Sequence, residues 1–577
     1  MEKVYEVILF MATEMCREKI LSQDYMDFIS PDYWSGEDIV VRQDQSCILQ
    51  LGFGYRAVYV EKGIAGELSL ERYGYQGIPG CYTLIDTSAL NESGISAVQN
   101  YPTLHLRGRD IMIGFIDTGI DYENMIFRNP TGGTRIAGIW DQTVQTGNPP
   151  EGFAYGSEFT EDMINEALRS ENPLEIVPST DENGHGTFLA SVAAGGTSTE
   201  NQFSGAATEA VIGVVKLKGA KEYLKEFYGI YSDAPCYQEN DIMFGLKYLH
   251  ELAVRRRLPI VICIALGTNM GPHNGTSLLS QMIDAYANLL NHCVVIGGGN
   301  EASNRHHYYG EVEQGGPAKE AEIRVEKGTT GFVAELWSPL PNIVTAYIIS
   351  PSGERSPALS LRQASKFNLS FVFDGTEVEI EYRLLLENSN SQLIFFRFRG
   401  VAEGIWKIGV EPVYIVKGGY HIWLPVKEFL QSDVYFLESD PDTTLTEPGS
   451  TRDAMTVSYY NSIDNSIDIN SGRGYTRCTV LKPDFAVPGV KITGLGADGR
   501  FTVRSGSSAS AGIGAGAAAL IMEWLRKQPA VRGITCNQVR NIILFGTNQR
   551  RDMDYPNKEW GYGTIDIYQS LNRLREL

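Results

Sequence analysis

The chain has 577 residues, of which 43% are hydrophobic and 21% charged, and its formal net charge at pH 7 is −21. This composition is typical of a soluble globular protein and argues against intrinsic disorder. The length exceeds that of one ordinary domain, so we expect two to four domains. A strongly acidic chain lacks the basic face that neutralises nucleic-acid phosphates or docks on anionic lipid, so we expect neither partner.

The N-terminus and the cysteines predict the cellular setting. The first 20 residues hold only the short apolar run VILFMA, which is too short and too acidically flanked for a secretory signal. No stretch approaches the ~20 apolar residues of a membrane span. The eight cysteines are scattered without CxxC spacing. We therefore expect no disulfide framework, no zinc site, a reducing compartment and cytoplasmic synthesis without a signal peptide.

Residues 1–87 form the first predicted unit. CILQLGF and RAVYVE are short runs of alternating apolar residues, the pattern of strands buried on one face, and helix-like stretches lie nearby. The unit ends in the turn-rich segment GIPGCYTLIDTSALNESGI. This pattern predicts a small α+β domain.

Residues 88–309 and 446–577 share an α/β pattern. The apolar strands DIMIGFID, AVIGVVKLK, LPIVICIALG and NHCVVIGGGN alternate with helical stretches, and AMTVSYYN and KPDFAVPG resume the pattern after residue 450. Such alternation predicts a parallel sheet covered by helices on both faces. Residues 310–445 between the two parts are short alternating strands with almost no helix signal. They predict an inserted all-β sandwich of jelly-roll type.

Three motifs carry the residues of a nucleophilic site. IMIGFIDTGID places Asp117 at the end of a buried strand, where open α/β sheets keep functional groups. The DTG tripeptide also occurs in aspartic proteases, but those enzymes need a second such carboxylate and the sequence has no other DTG or DSG. His185 stands between glycines in DENGHGTFLAS, and Thr187 is suited to cap a helix there. Ser508 opens the Ala/Gly-rich stretch SGSSASAGIGAGAAAL.

An aspartate, a histidine and a serine are the parts of an activated serine nucleophile, because histidine takes the hydroxyl proton and a buried carboxylate stabilises the imidazolium. The order Asp117, His185, Ser508 is that of subtilisin. With NGHGT, GSS and AGAAAL matching family motifs, the chain resembles the subtilisin-like serine proteases, or subtilases. The resemblance covers roughly 87–310 and 450–577. One departure is Gly512, near the place of the usual proline after the serine, which we expect to loosen the helix start.

The resemblance implies further site residues. VVIGGGNEAS is similar to the subtilase segment whose asparagine donates to the oxyanion, which assigns that role to Asn300, with the Ser508 N–H as second donor. The ALG segment corresponds to an edge that pairs with substrate backbone, formed by Ala265, Leu266 and Gly267. No cofactor is implied. Asp121 and Asp181 lie near the triad residues, and turn capping is favoured over calcium binding for both because an acidic cluster of the right spacing is lacking.

Two features narrow the resemblance. Asn300 and Ser508 are 208 residues apart, which leaves room for the predicted β domain, and the first unit has no signal sequence. Both features resemble the Csp germination proteases of spore-forming clostridia. This resemblance implies that residues 1–87 are a prodomain that assists folding, is cut by the protease itself and stays bound in its active site. Family spacing places the cut near Thr87, within residues 84–89.

The predicted function is therefore a serine endopeptidase, a self-cleaving zymogen whose substrate is a protein. Similarity to Csp proteases implies the proform of a spore cortex hydrolase as that substrate, and a spore-associated location. Two alternatives stay open. One is a catalytically silent Csp-like pseudoprotease that binds or signals germinants, and the other is a general intracellular subtilase. Occupation of all three triad positions favours the enzyme.

Overall fold

The computed structural model describes residues 16–31, 47–84, 93, 95–100, 105–357, 359, 365–386, 388–478 and 480–575. Its centre is a nine-stranded sheet whose inner strands are parallel, with an antiparallel strand added at each end. In spatial order, eight strands are Ser466–Ile467, Met455–Asn461, His292–Gly297, Ile260–Ile264, Met112–Asp117, Val211–Lys216, Ile136–Asp141 and Ser157–Thr160. The ninth, Phe485–Pro488, pairs with Met455–Asn461. The predicted parallel sheet is confirmed.

Helices pack on this sheet, and the longest of those described is the serine helix, Ser507–Arg526, nearly all of whose residues are buried. It is long and apolar enough to cross a membrane, and 94% of its most apolar stretch is buried inside the protein. The other helices are Lys62–Ala65, Leu70–Tyr73, Ile95–Asn100, Glu161–Ala167, Pro173–Ile176, His185–Ala194, Glu222–Phe227, Glu239–Arg256, Leu278–Ala287, Cys536–Gly546 and Ile567–Arg575, with single 3₁₀ turns at Met125–Phe127 and Lys427–Phe429.

Two antiparallel sheets lie between the two parts of the α/β unit. The six-stranded sheet contains, in spatial order, His307–Glu311, Gly419–Trp423, Gly331–Pro339, Ser391–Arg399, Thr376–Leu386 and Lys366–Phe371. The four-stranded sheet contains Ile343–Ile349, Gly404–Tyr414, Lys319–Val325 and Val434–Phe436. Residues from both sheets share one hydrophobic cluster. This cluster is distinct from the core cluster of the α/β unit. An all-β region stands where the sequence predicted it, while its jelly-roll connectivity stays a prediction.

The first unit contains an antiparallel sheet in the order Tyr25–Pro31, Tyr55–Glu61, Cys47–Gly52. Cys16 and Cys47 form a disulfide with a Cα–Cα distance of 5.3 Å, so the expectation of a chain without disulfides is wrong. The two cysteines are 31 residues apart, and no local spacing signals a pair that only the folded chain brings together. None of the other six cysteines, all of which lie in described parts of the chain, forms a disulfide.

Three short segments from distant parts of the chain form one more sheet. The tail strand, Cys81–Leu84, lies between the edge strand, Leu266–Gly267, and the flanking strand, Tyr237–Gln238. Both pairings are antiparallel. A hairpin of Ile492–Leu495 and Phe501–Arg504 completes the strands. The tail strand therefore inserts the end of the first unit into the α/β unit.

Candidate active site

The predicted functional side chains gather where parallel strands of the central sheet end. Asp117 is the last residue of Met112–Asp117. The neighbouring strand Ile260–Ile264 leads into the edge strand, and His292–Gly297 leads towards Asn300. These three strands are adjacent and parallel, so their carboxyl ends meet at one edge of the sheet.

Asp117, His185 and Ser508 form an unbroken chain of hydrogen bonds. His185 Nδ1 lies 2.7 Å from Asp117 Oδ1, and His185 Nε2 lies 2.8 Å from Ser508 Oγ. The three residues are at most 1% exposed. In the neutral imidazole, Nδ1–H donates to the carboxylate, which leaves Nε2 to accept the serine proton. The arrangement can raise the nucleophilicity of the hydroxyl.

The Asp117 carboxylate is fully buried in the protein interior. Its Oδ1 also accepts the Thr118 N–H at 2.8 Å, and Oδ2 has no hydrogen-bond partner among the described residues. Burial, reinforced by the charge of Asp117, raises the pKa of the Cys263 thiol and of the Tyr237 hydroxyl. Both neighbours therefore stay neutral, and His185 is the group positioned to share the negative charge.

Asp181 organises the turn that starts the histidine helix, His185–Ala194. Its Oδ1 accepts the Gly184 N–H at 2.8 Å and the Thr118 hydroxyl at 2.7 Å. Its Oδ2 accepts both the N–H and the hydroxyl of Thr187 at 2.7 Å. One carboxylate thus ties the residue after the triad aspartate to the helix that carries the triad histidine.

The two acids considered from the sequence make different contacts at the start of the histidine helix. Asp181 caps the helix start, and Asp121 donates its N–H to Thr187 Oγ1 at 2.9 Å. Within the described ranges no group of three or more His, Cys, Asp or Glu side chains is placed to hold a metal ion. From the sequence, the place of Asp181 four residues before His185 favours turn capping, and nothing in the local pattern assigns it to the site.

The serine helix packs closely against its neighbours because its side chains are small. A Cβ on Gly516 would lie 2.3 Å from the Ala206 Cβ, and one on Gly512 would lie 3.1 Å from Leu189 Cδ1. Leu189 belongs to the histidine helix, so Gly512 marks the contact between the two catalytic helices. A side chain at Gly516 would clash with Ala206, whereas one at Gly512 requires a small shift of Leu189.

The loop that follows His292–Gly297 lies against the start of the serine helix. Gly299 N–H donates to Ser507 Oγ at 2.9 Å, and Ser507 N–H donates to Asn300 Oδ1 at 3.1 Å. Because Oδ1 accepts this bond, the Nδ2 group is the donor end of the Asn300 side chain. The structure therefore brings Asn300 beside the residue that precedes Ser508.

The predicted substrate edge is occupied by the chain's own first unit. Leu266 pairs with Leu84 and Gly267 with Thr83, and Ala265 lies buried immediately before them. The tail strand reaches Leu84, the first residue of the predicted cleavage window. Residue 87, the predicted cut position, lies outside the described residues.

One protein family and several solved structures are similar to this chain. The model of the subtilase family, Peptidase S8, matches residues 108–392 and 437–563. The solved CspB protease of Clostridium perfringens is 28% identical with a TM-score of 0.73, covering 84% of this chain and 96% of that one. An S41 psychrophilic protease and sphericase are 14% and 15% identical, each with a TM-score of 0.41, covering 82% of this chain and 96% of theirs.

No curated protein sequence matches this chain. The family match spans well over half of the 577 residues, in two segments of which the first extends into the all-β region. With the CspB likeness and the architecture described above, it establishes the relationship: the chain belongs to the subtilase family and is a subtilisin-like serine endopeptidase close to the Csp proteases.

Proposed function

We propose that this protease cuts peptide bonds through an acyl-enzyme on Ser508, with Asp117, His185 and Asn300 as its catalytic partners. The observation that carries the proposal is the continuous hydrogen-bond chain from Asp117 Oδ1 through His185 to Ser508 Oγ. Each of its bonds is 2.8 Å or shorter, which is the reach that proton transfer requires.

The reaction follows from these contacts. Ser508 Oγ attacks the carbonyl carbon of the substrate while His185 Nε2 removes its proton, and Asp117 stabilises the imidazolium. His185 then gives that proton to the leaving amine as the peptide bond breaks. A water molecule, deprotonated by His185, releases the acyl group and restores Ser508.

The negative oxygen of the tetrahedral intermediate needs donors. Asn300 Nδ2–H and the backbone N–H of Ser508 are the groups proposed for this oxyanion hole. One donor of this kind contributes roughly 10²–10³ to the rate. The contact between Ser507 N–H and Asn300 Oδ1 supports the assignment, because it holds the Asn300 side chain at the residue before Ser508 and leaves Nδ2 as the donor end of the amide.

The first unit acts as a prodomain that the enzyme cuts and then retains. In support, the tail strand lies antiparallel on Leu266–Gly267, as an extended substrate does. Cleavage within residues 84–89, near Thr87, leaves this strand in the cleft as a product-like inhibitor.

The external substrate is a protein, and the similarity to Csp proteases favours the proform of a spore cortex hydrolase during germination. Synthesis in the cytoplasm and association with the spore belong to this proposal. The competing proposal, a germinant-signalling pseudoprotease, is disfavoured by the presence of every triad side chain in hydrogen-bonding geometry.

A denaturing gel of the purified full chain tests the proposal. We expect the wild type to give two fragments, the smaller of about 87 residues, and Ser508→Ala to stay whole. Terminal sequencing of the large fragment locates the cut. A single uncut band in both proteins, with no labelling of wild-type Ser508 by a fluorophosphonate, would favour the signalling protein.

A further inference from the structure

Gly80, which precedes the tail strand, has both of its backbone polar groups bonded to one residue of the α/β unit. The Glu239 N–H donates to the Gly80 carbonyl at 2.9 Å, and the Gly80 N–H donates to Glu239 Oε2 at 3.0 Å. Glu239 directly follows the flanking strand, Tyr237–Gln238. The contact extends the pairing of the tail strand by one residue, with a carboxylate as the acceptor.

A second hydrogen bond, made within the α/β unit, holds the Glu239 carboxylate in position for this contact. Its other oxygen, Oε1, accepts the Leu279 N–H at 3.0 Å, at the start of the helix Leu278–Ala287. The residue is 6% exposed, and burial raises the pKa of the carboxyl to about 7 against the opposing effect of these two backbone donors. One oxygen is therefore fixed by the α/β unit and the other is presented to the cleft.

We propose that Glu239 is the outermost substrate-binding residue of the cleft, where its N–H and carboxylate clamp the backbone of the substrate residue that takes the place of Gly80. The substrate class that follows is an extended peptide segment that fills the cleft from this position through the tail strand. This inference rests on the proposed function, in which the tail strand occupies the path of the substrate.

The clamp also restricts the side chain at that position. A Cβ on Gly80 would lie 3.3 Å from the ring of Tyr82 and 3.5 Å from Glu239 Oε2. Alanine fits with a small adjustment, whereas a β-branched residue adds atoms towards the carboxylate and displaces it. Substrates of this enzyme therefore carry glycine or another small residue at the clamp.

Hydrogen exchange in the uncut Ser508→Ala chain tests the clamp without any catalysis. Glutamine at 239 has one acceptor oxygen for two N–H donors, so we expect backbone amides of residues 78–84 to exchange about tenfold faster in Glu239→Gln. Glu381→Gln is the matched control, because Glu381 Oε2 accepts the prodomain Glu71 N–H at 3.2 Å outside the tail. Unchanged exchange in Glu239→Gln would overturn the clamp.

Self-cleavage of the active full chain during refolding tests its use in substrate binding. We expect Glu239→Gln to slow cleavage about tenfold and Glu381→Gln to leave the rate unchanged. Gly80→Val, which leaves the enzyme side intact, slows cleavage as well. Equal slowing by Glu381→Gln would mean general prodomain docking and would refute the clamp. An uncut wild type would instead refute the proposed function, and hydrogen exchange would still decide the clamp.

Discussion

The triad and a contact between the first unit and the α/β unit are both buried polar networks. They differ in the units that they join. The triad bonds lie within the α/β unit and end at a hydroxyl. In the second network, which we call the anchor, Asp27 of the first unit contacts Lys221 of the α/β unit, with Oδ1 and Nζ 2.6 Å apart. Asp27 is 0% and Lys221 2% exposed.

The anchor satisfies nearly every donor and acceptor that it buries. Lys221 Nζ also donates to the carbonyls of Tyr25 and Lys19 at 3.1 and 3.2 Å, so its three protons all point to the prodomain. Gln238 Nε2 donates to Asp27 Oδ2 at 2.6 Å, and Gln238 belongs to the strand that flanks the tail. Departure of the first unit would break these contacts and return both charges to water, whereas the hydrogen bonds among Asp117, His185 and Ser508 do not involve the first unit. The triad is therefore placed for chemistry, whereas the anchor is placed to hold the first unit on the α/β unit.

The largest expected effect is on the cleavage rate and comes from substitutions that break only the triad. His185→Ala removes the base, and we expect a loss of roughly 10⁶-fold in cleavage rate. Asp117→Asn, which favours the wrong tautomer, costs roughly 10⁴-fold. Both uncut variants should keep the first unit docked, as measured by protection of its backbone amides in hydrogen exchange. His250→Gln is the matched control, since His250 lies outside the site and contacts His292. Comparable loss in that control would mean misfolding.

Lys221→Met should break the anchor without touching the triad. Removing one partner of a buried ion pair costs about 3–5 kcal/mol, so the cut prodomain should dissociate far more readily. Asp27→Leu combined with Lys221→Met removes the stranded charge and should restore part of the retention. Lys225→Met is the control, because Lys225 pairs with Glu222 near the surface and the pair contributes at most about 1 kcal/mol. Retention unchanged in Lys221→Met would contradict the anchor.

Asp181→Asn tests a polar contact that lies wholly within the α/β unit and supports the triad. A carboxamide oxygen cannot replace a carboxylate that accepts four hydrogen bonds, so we expect a loss of about 2 kcal/mol in unfolding free energy. Cleavage should slow as well, because the turn between Asp117 and His185 loosens. Thermal denaturation and the refolding cleavage assay measure the two effects. A stable but slow variant would assign Asp181 to positioning alone, and full activity would remove it from the site.

The smallest effect concerns pH. Burial lowers the pKa of His307 to about 4, and His307 Nε2 lies 2.9 Å from His421 Nδ1, whose pKa burial also lowers. Such histidines bind protons in the unfolded chain first, so the stability that they contribute is present above about pH 6.5 and is lost as the pH falls towards 4. We expect melting temperatures to fall between pH 7 and 5, and His307→Gln to flatten that slope. An unchanged slope would exclude this pair as the cause.

Much of the site could be predicted because its residues carry local signals. Asp117 ends a strand, His185 opens a helix after Gly184 with φ 78°, and Ser508 opens a helix of small residues. Each arrangement leaves a recognisable pattern within about ten residues. Asp181 was undervalued because a capping carboxylate has the same local pattern in any helix.

The order of strands and helices, the division into α/β and all-β stretches, and the residue types of the triad were determined by the sequence alone, since periodicity and motif spacing are properties of neighbouring residues. Only the tertiary structure decided the Cys16–Cys47 disulfide, the Asp27–Lys221 anchor and the contact of Glu239 with Gly80. The partners of these pairs lie 31 to 194 residues apart. From the sequence, a buried and paired lysine cannot be distinguished from a solvated one. The reason is that its environment is made by segments that meet only when the chain has folded.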